Sequence, residues 1–225
     1  MKCALLALAV PCLLAAADAN PRQETTATQR IDFPSSGELD LKHLSGELTI
    51  EGWDQPAVEV TSVKYTPVDY TGADRDKAAK LIQEIRVNVT RNGDRVVVET
   101  SAPKAPRFLL LTFGVHVDID YHIKVPKKAR LVIEHRSGEV HIMDVAGDIR
   151  VGVREGLITL MLPADGGYDI DAGATVGDVY SDFPGIEHDH PWRFAHAFAA
   201  SPKQAAHKLH LRIKFGDIII RQEGS

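Results

Sequence analysis

The sequence predicts an all-β protein: a β-solenoid or single-stranded β-helix-like stack of short strands with one short helical insert. Two observations predict this class. Apolar and polar residues alternate with period two over most of the chain, which is typical of half-buried strands. In addition, glycines recur at a fixed interval of nine residues, as in Gly138, Gly147 and Gly156, and a fixed interval indicates repeats that bury a face by stacking on their neighbours.

The repeat unit is a glycine followed by apolar residues two and four positions later. Glycine before a strand provides the backbone freedom that a tight corner requires. Both a solenoid and an antiparallel meander fit this pattern. The absence of two-residue Asn-Gly hairpin signals between the copies favours the solenoid. The copies begin at Gly37, Gly46, Gly138, Gly147, Gly156 and Gly216.

Three segments are predicted along the chain. Residues 1–19 read as a secretory signal, an apolar run that ends in the small-x-small site Ala17-Asp18-Ala19. Residues 20–126 form an N-terminal β region with a hairpin and a short helix, and residues 127–225 form the glycine-cornered β-repeat region, continuous with the first. No later run reaches the length of about 20 apolar residues that a membrane span needs, so we expect an exported protein of the periplasm or cell surface with no transmembrane segment after cleavage.

Two local elements interrupt the repeats. Residues 74–85 have apolar side chains at helical spacing and an acidic start, which predicts a helix. Asn92-Gly93-Asp94 between two alternating runs predicts a hairpin. Residues 184–207 are less regular, and residues 207–222 read as a closing pair of strands.

Several of these residues carry a likeness to a known family. The chain resembles the putative adhesin family of bacterial exported β-strand-repeat proteins, formerly a domain of unknown function. The resemblance implies an all-β, solenoid-like fold and an envelope location, and it implies no reaction. The residues that carry it are Gly46, Gly52, Trp53 and Asp54, then Val125-Pro126, Ser137-Gly138 and Gly147.

Composition excludes several function classes. The formal net charge is −5 with acidic and basic residues interspersed, which argues against a nucleic-acid partner. Cys3 and Cys12 are the only cysteines, and both lie in the predicted signal, so the mature chain offers no thiol and no cysteine metal site. We therefore expect no cofactor.

Two acidic patterns are candidate sites. Asp169 and Asp171 lie two apart in a predicted strand, as do Asp118 and Asp120, and two carboxylates on one face could act as acid and base on a glycoside. The alternative is that they face water. An acidic residue also follows most corner glycines, so stacked rungs would align a column that binds calcium or is simply solvated. Its members are Glu38, Glu47, Glu139, Asp148, Asp178 and Asp217.

Histidines and the corner residues complete the candidates. His188, His190 and His196 could supply zinc ligands, although the segment lacks a helical His-Glu-x-x-His motif. Trp53 could stack on a sugar, but a packing role is favoured, with Asp54 accepting hydrogen bonds from the turn. The predicted structural corner therefore comprises Gly37, Gly46, Trp53, Asp54, Gly138, Gly147, Gly156 and Gly216.

The function that follows is a non-enzymatic envelope protein, adhesin-like or structural, whose partner is a protein or a glycan. Rigid strand stacks offer long faces that suit docking. Two alternatives stay open: a carbohydrate-active β-helix enzyme that uses Asp169 and Asp171, and an accessory protein of envelope-stress sensing.

Overall fold

A computed structural model describes residues 23–101, 115–190 and 195–223; the predicted signal, residues 1–19, lies outside them. The described chain is all-β with one helix, as predicted. Its strands are β1 (Glu24–Asp32), β2 (Glu38–Ser45), β3 (Leu48–Trp53), β4 (Ala57–Tyr65), β5 (Arg86–Asn92), β6 (Arg95–Ser101), β7 (Asp118–Pro126), β8 (Arg130–Met143), β9 (Ile149–Leu162), β10 (Tyr168–Val176), β11 (Val179–Ser181), β12 (Ile186–His190), β13 (Ala195–Ala200) and β14 (His207–Gln222), and the helix is α1 (Ala73–Glu84).

Five parallel strand units bend at a row of glycines. β8, β9 and β14 are long strands whose central glycines lie in register, Gly138 beside Gly156 and Gly156 beside Gly216. β2 pairs with the first half of β8 and β3 with its second half, and Gly46 lies between β2 and β3. In the same way β10 and β11 pair with the two halves of β14, and Gly177 lies between β10 and β11. All five glycines have φ between 120° and 137°, a region that favours glycine. We call residues before this row the first arm and residues after it the second arm.

The nine-residue interval is half of a longer structural repeat. Gly138 and Gly156, two intervals apart, occupy equivalent bends of β8 and β9. Gly147 lies between them in the link, where a Cβ would overlap the carbonyl oxygen of Ala129. Glycines therefore alternate between bends that need positive φ and links that need close backbone approach.

The sheet is open, and its spatial order departs from chain order. Along the main path it runs β1-β4-β7-β3-β8-β9-β14-β10-β13-β12, while β6 and β5 extend the first arm from β2. β14 is parallel to both neighbours and lies between β9 and β10. The predicted closing pair of strands is wrong: residues 207–222 form one strand bent at Gly216. The described strands on both sides of residue 127 pair within this sheet.

The core lies between the two arms. Inward side chains of both arms, such as Ile133 and Ile149 before the bend and Val140 and Ile158 after it, are at most 1% exposed and belong to one hydrophobic cluster. Helix α1, one residue offset from its predicted start, adds Ile82 to this cluster. The Lys64 ammonium donates to the carbonyl oxygen of Ile82 at 2.9 Å and so satisfies a carbonyl at the helix end.

Candidate binding site

A shallow trough of about 710 Å³ crosses the outer face of the first arm just before the bend. It runs perpendicular to the strands, over β2, β8, β9 and β14. Its floor is the row Thr100, His43, His135, Val153 and Ile213. These side chains point to the opposite side, into the core: His43, His135, Val153 and Ile213 are buried, and the Thr100 hydroxyl lies 2.9 Å from the Tyr121 hydroxyl. The trough therefore rests on backbone.

One wall of the trough is a row of cations in register. His135 pairs with Val153, and Ile213 pairs with Val153, so Arg136, Arg154 and Lys214 follow one another on adjacent strands, about 4.8 Å apart at the backbone. All three are exposed. Like charges on neighbouring strands repel, and in the described part of the chain no carboxylate forms an ion pair with any of them. We call these three residues the cation row.

The other wall holds Lys42, Glu134, Gly152 and Arg212, again in strand order. Gly152 leaves a notch, since a Cβ there would meet its nearest atom at 3.9 Å. Arg212 is engaged with the Asp171 carboxylate at 2.6 and 2.8 Å. Among the residues that the structure describes, the trough lining has five cations and one carboxylate, although the whole chain carries a formal net charge of −5.

A histidine pair lies directly beneath the trough, on the core side of β2 and β8. The His43 and His135 rings stack with centroids 4.7 Å apart, and both residues are buried. Burial, and next the neighbouring His135, lower the pKa of His43 to about 3, against a smaller raising effect of the Ile119 and Ser45 carbonyls. Burial lowers the pKa of His135 to about 4. Both rings are therefore neutral near pH 7 and place no charge under the cation row.

The predicted aspartate pair lies beside the trough on β10. The Asp171 carboxylate accepts hydrogen bonds from Arg212 and lies 2.9 Å from Nδ1 of His210. The Arg212 hydrogen bond lowers the pKa of Asp171. Asp169 accepts a hydrogen bond from the Ser201 hydroxyl at 2.6 Å. The lowered pKa of Asp171 does not suit a general acid, and both carboxylates are engaged as acceptors, Asp171 of Arg212 and Asp169 of Ser201.

The predicted zinc ligands are divided between two strands. His188 pairs with Ala197 and Asp189 pairs with His196, so His188 and His196 face opposite sides of the sheet. His196 lies 3.3 Å from the Asp178 carboxylate. His190 is on the same strand as His188. Among the residues that the structure describes, no group of three or more histidine, cysteine or acidic side chains is placed to hold a metal ion.

The predicted acidic column is interrupted. Glu139 and Asp217 each lie beside Leu157, so an apolar side chain separates them. Asp217 instead accepts a hydrogen bond from the backbone N–H of Asp178 at 2.8 Å. Glu47, another member of the column, is in a similar position: its backbone N–H donates to the Asp120 carboxylate at 2.8 Å. These carboxylates cap neighbouring strands at the bend.

The predicted corner residues occupy two kinds of position. Gly37 lies in a link like Gly147, where a Cβ would meet the Phe33 ring. The Trp53 indole N–H donates to the Ala57 carbonyl at 2.8 Å, and the Arg30 guanidinium lies 5.0 Å from the ring centroid. Asp54 is exposed and pairs with Lys127 at 3.2 Å.

The sequence reasoning missed the trough, although the signal for it is visible. Arg136, Arg154 and Lys214 each stand two residues before a bend glycine, in the triplets Arg-Ser-Gly, Arg-Glu-Gly and Lys-Phe-Gly. The repeat pattern is defined by the residues after each glycine, whereas these basic residues lie before it. A basic residue at the same offset in three units predicts a cation row once the units are stacked.

Comparison with known proteins gives the fold and little more. No protein-family model matches the chain, and no curated protein matches it. In the described part of the chain, no helix has the length and apolar character that crossing a membrane requires.

Solved structures do resemble the chain. A putative cell adhesion protein from Clostridium sporogenes superposes with a TM-score of 0.54 at 12% identity, over 89% of this chain and 100% of that one. A putative adhesin from Bacteroides fragilis, also 12% identical, covers 87% of this chain and 97% of its own at a TM-score of 0.26, too low to argue from. The chain thus has the fold of a protein described as a putative cell adhesion protein, and its resemblance to the putative adhesin family is confirmed at the level of fold.

Proposed function

We propose that the protein is an exported, non-enzymatic binding module of the cell envelope, adhesin-like in use, and that its trough binds an anionic partner. The observation that carries this proposal is the cation row. Three like charges on adjacent strands repel one another, and no described carboxylate forms an ion pair with any of them. An anionic ligand would relieve that repulsion and gain three charge-assisted contacts at once.

The architecture supports a binding role. The trough floor is the backbone of a sheet whose reverse side is packed core. Because the backbone that carries the cations is already ordered, ligand binding loses little backbone conformational entropy. The fold shared with the Clostridium sporogenes protein agrees with adhesion, although at 12% identity the likeness carries the fold alone.

Charge reversal tests the proposal. The triple variant Arg136→Glu, Arg154→Glu, Lys214→Glu is compared with wild type for binding to inorganic polyphosphate and to envelopes of the organism that encodes the chain. The matched control reverses Arg75, Lys77 and Lys80, which are exposed on α1, so both variants change net charge equally. We expect the trough variant to lose at least about tenfold in affinity and the control to stay near wild type. Equal losses in both variants would contradict the proposal.

The competing enzyme hypothesis has its own test. Wild type and Asp171→Asn are incubated with a panel of glycans, and new reducing ends are measured. Because the Asp171 carboxylate is held by Arg212 and the Asp169 carboxylate by Ser201, we expect no turnover by either protein. Turnover that Asp171→Asn abolishes would replace the binding module with a carbohydrate-active enzyme.

A further inference from the structure

The geometry of the trough defines the shape of its ligand. On the neighbouring strands, the positions in register with the cation row are Leu44 on β2 and Thr175 on β10, because His43 pairs with His135 and Ala174 pairs with Ile213. Five strands at about 4.8 Å give a straight path of about 19 Å across the sheet. The charges lie only in its middle, one per strand. A ligand that meets them all is a linear chain with regularly spaced anionic groups, lying perpendicular to the strands.

Glu134, the one carboxylate in the described lining of the trough, distinguishes between such ligands. Glu134 is exposed on β8, opposite the cation row and beside the Gly152 notch. A carboxylate accepts hydrogen bonds and donates none. A pure phosphate polymer would therefore be repelled by Glu134, whereas a chain that carries hydroxyl groups would donate to it. The notch at Gly152 leaves room for a bulky unit at this point.

The described lining of the trough holds no tryptophan, tyrosine or phenylalanine, and its two aromatic rings, His43 and His135, are buried on the core side. Proteins that bind single-stranded nucleic acids stack the bases on aromatic side chains. The described lining therefore offers no aromatic side chain on which the bases of a single-stranded nucleic acid could stack. The combination of anionic groups, hydroxyl groups and no flat bases matches a sugar polymer.

We infer that the ligand of the trough is a linear acidic glycan, with carboxylates on the cation row and sugar hydroxyls on Glu134. This inference rests on the proposed function, because it names the class of the anionic partner. Arginine suits the role, since its planar guanidinium binds carboxylates in a bidentate manner.

The test uses three probes of matched length: oligogalacturonate, its methyl ester, and inorganic polyphosphate. Affinities are measured by isothermal titration calorimetry. We expect oligogalacturonate to bind at least about tenfold more tightly than the uncharged methyl ester, with loss of that difference in Arg154→Glu. A single-stranded thymidine oligonucleotide and vesicles with anionic lipid serve as competing classes. Tighter binding of either than of oligogalacturonate would overturn the inference.

Glu134→Ala gives the sharper result, because the two ligand classes predict opposite signs. Removing the carboxylate makes the trough more cationic, so polyphosphate should bind more tightly. The uncharged methyl ester carries hydroxyls without carboxylates, so it should bind more weakly once their acceptor is lost. If polyphosphate and the methyl ester both gain affinity, the glycan assignment fails while the proposed function stands. If neither polyphosphate nor oligogalacturonate binds wild type in a manner that depends on the cation row, the proposed function itself fails.

Discussion

The imidazole rings of His43 and His135 stack inside the core, and in the described part of the chain none of their four ring nitrogens has a hydrogen-bond partner of normal geometry. Buried polar groups without partners cost stability. A protonated ring at either position would cost more, because a charge would be buried beside a second ring.

Stability should therefore fall as the pH is lowered. In the unfolded chain both histidines take up protons near pH 6.5, whereas in the fold the pKa values are about 3 for His43 and about 4 for His135. Between pH 6.5 and 4 the unfolded state binds more protons, so the free energy of unfolding decreases with falling pH, by up to about 1.4 kcal/mol per pH unit for each ring. Urea unfolding at several pH values measures this slope.

The matched variants for this prediction are His135→Phe and His188→Gln. His135→Phe removes one buried titrating ring and should reduce the slope. His188 is exposed, so His188→Gln is the control for losing an imidazole outside the core. A slope that is the same in wild type and His135→Phe would contradict the assignment.

The glycine row makes a second prediction. Gly156 has φ 137°, and a Cβ there would overlap the carbonyl oxygen of Gly138. Gly156→Ala should lower the free energy of unfolding by about 3 kcal/mol or more, from strain and overlap together. Gly152→Ala on the same strand has ordinary φ and open space, so it should be neutral or slightly stabilising. Equal effects in chemical denaturation would show that the bend does not require glycine.

Asp171 is expected to compete with an anionic ligand of the trough for the Arg212 guanidinium. Its carboxylate holds Arg212 by two hydrogen bonds. Asp171→Asn should release the guanidinium toward an anionic ligand and raise the affinity for polyphosphate by about two- to fivefold, the range expected for one exposed ion pair. Asp54→Asn, at an exposed ion pair outside the described lining of the trough, is the control. Weaker binding in Asp171→Asn would mean that Asp171 positions Arg212 for the ligand.

A variant of Trp53 distinguishes a packing role of this side chain from stacking on a sugar. Trp53→Phe removes the hydrogen bond to the Ala57 carbonyl and should lower the free energy of unfolding by about 1 kcal/mol. Binding of oligogalacturonate should stay at the wild-type value, because Trp53 is not part of the trough. The opposite result, unchanged stability with weaker glycan binding, would support sugar stacking.

Much of the fold was accessible from sequence because it is local. Alternation predicted the strands, Asn92-Gly93-Asp94 the hairpin, and apolar spacing the helix. The prediction of two strands for residues 207–222 was wrong for a physical reason. At a bend glycine the alternation shifts by one residue: Ile213 and Ile218 both face the core although five positions separate them, so one bent strand reads as two.

Strand neighbours and the trough could not be read in the same way. Nothing local to residues 207–222 says that they lie between β9 and β10, because that pairing depends on packing over the whole sheet. The trough combines Lys42, Arg136 and Lys214, which come from three distant parts of the sequence. The triplets that end in glycine were visible, but their meaning depends on the register that the folded sheet provides.

The central position of β14 bears on the timing of maturation. A chain that emerges with its N-terminus first cannot join β9 to β10 until residue 222 has left the ribosome, so one edge of each of these strands stays unpaired until then. Lys214 and Arg212 arrive with that same strand. The complete trough therefore forms only when this strand has been added to the sheet.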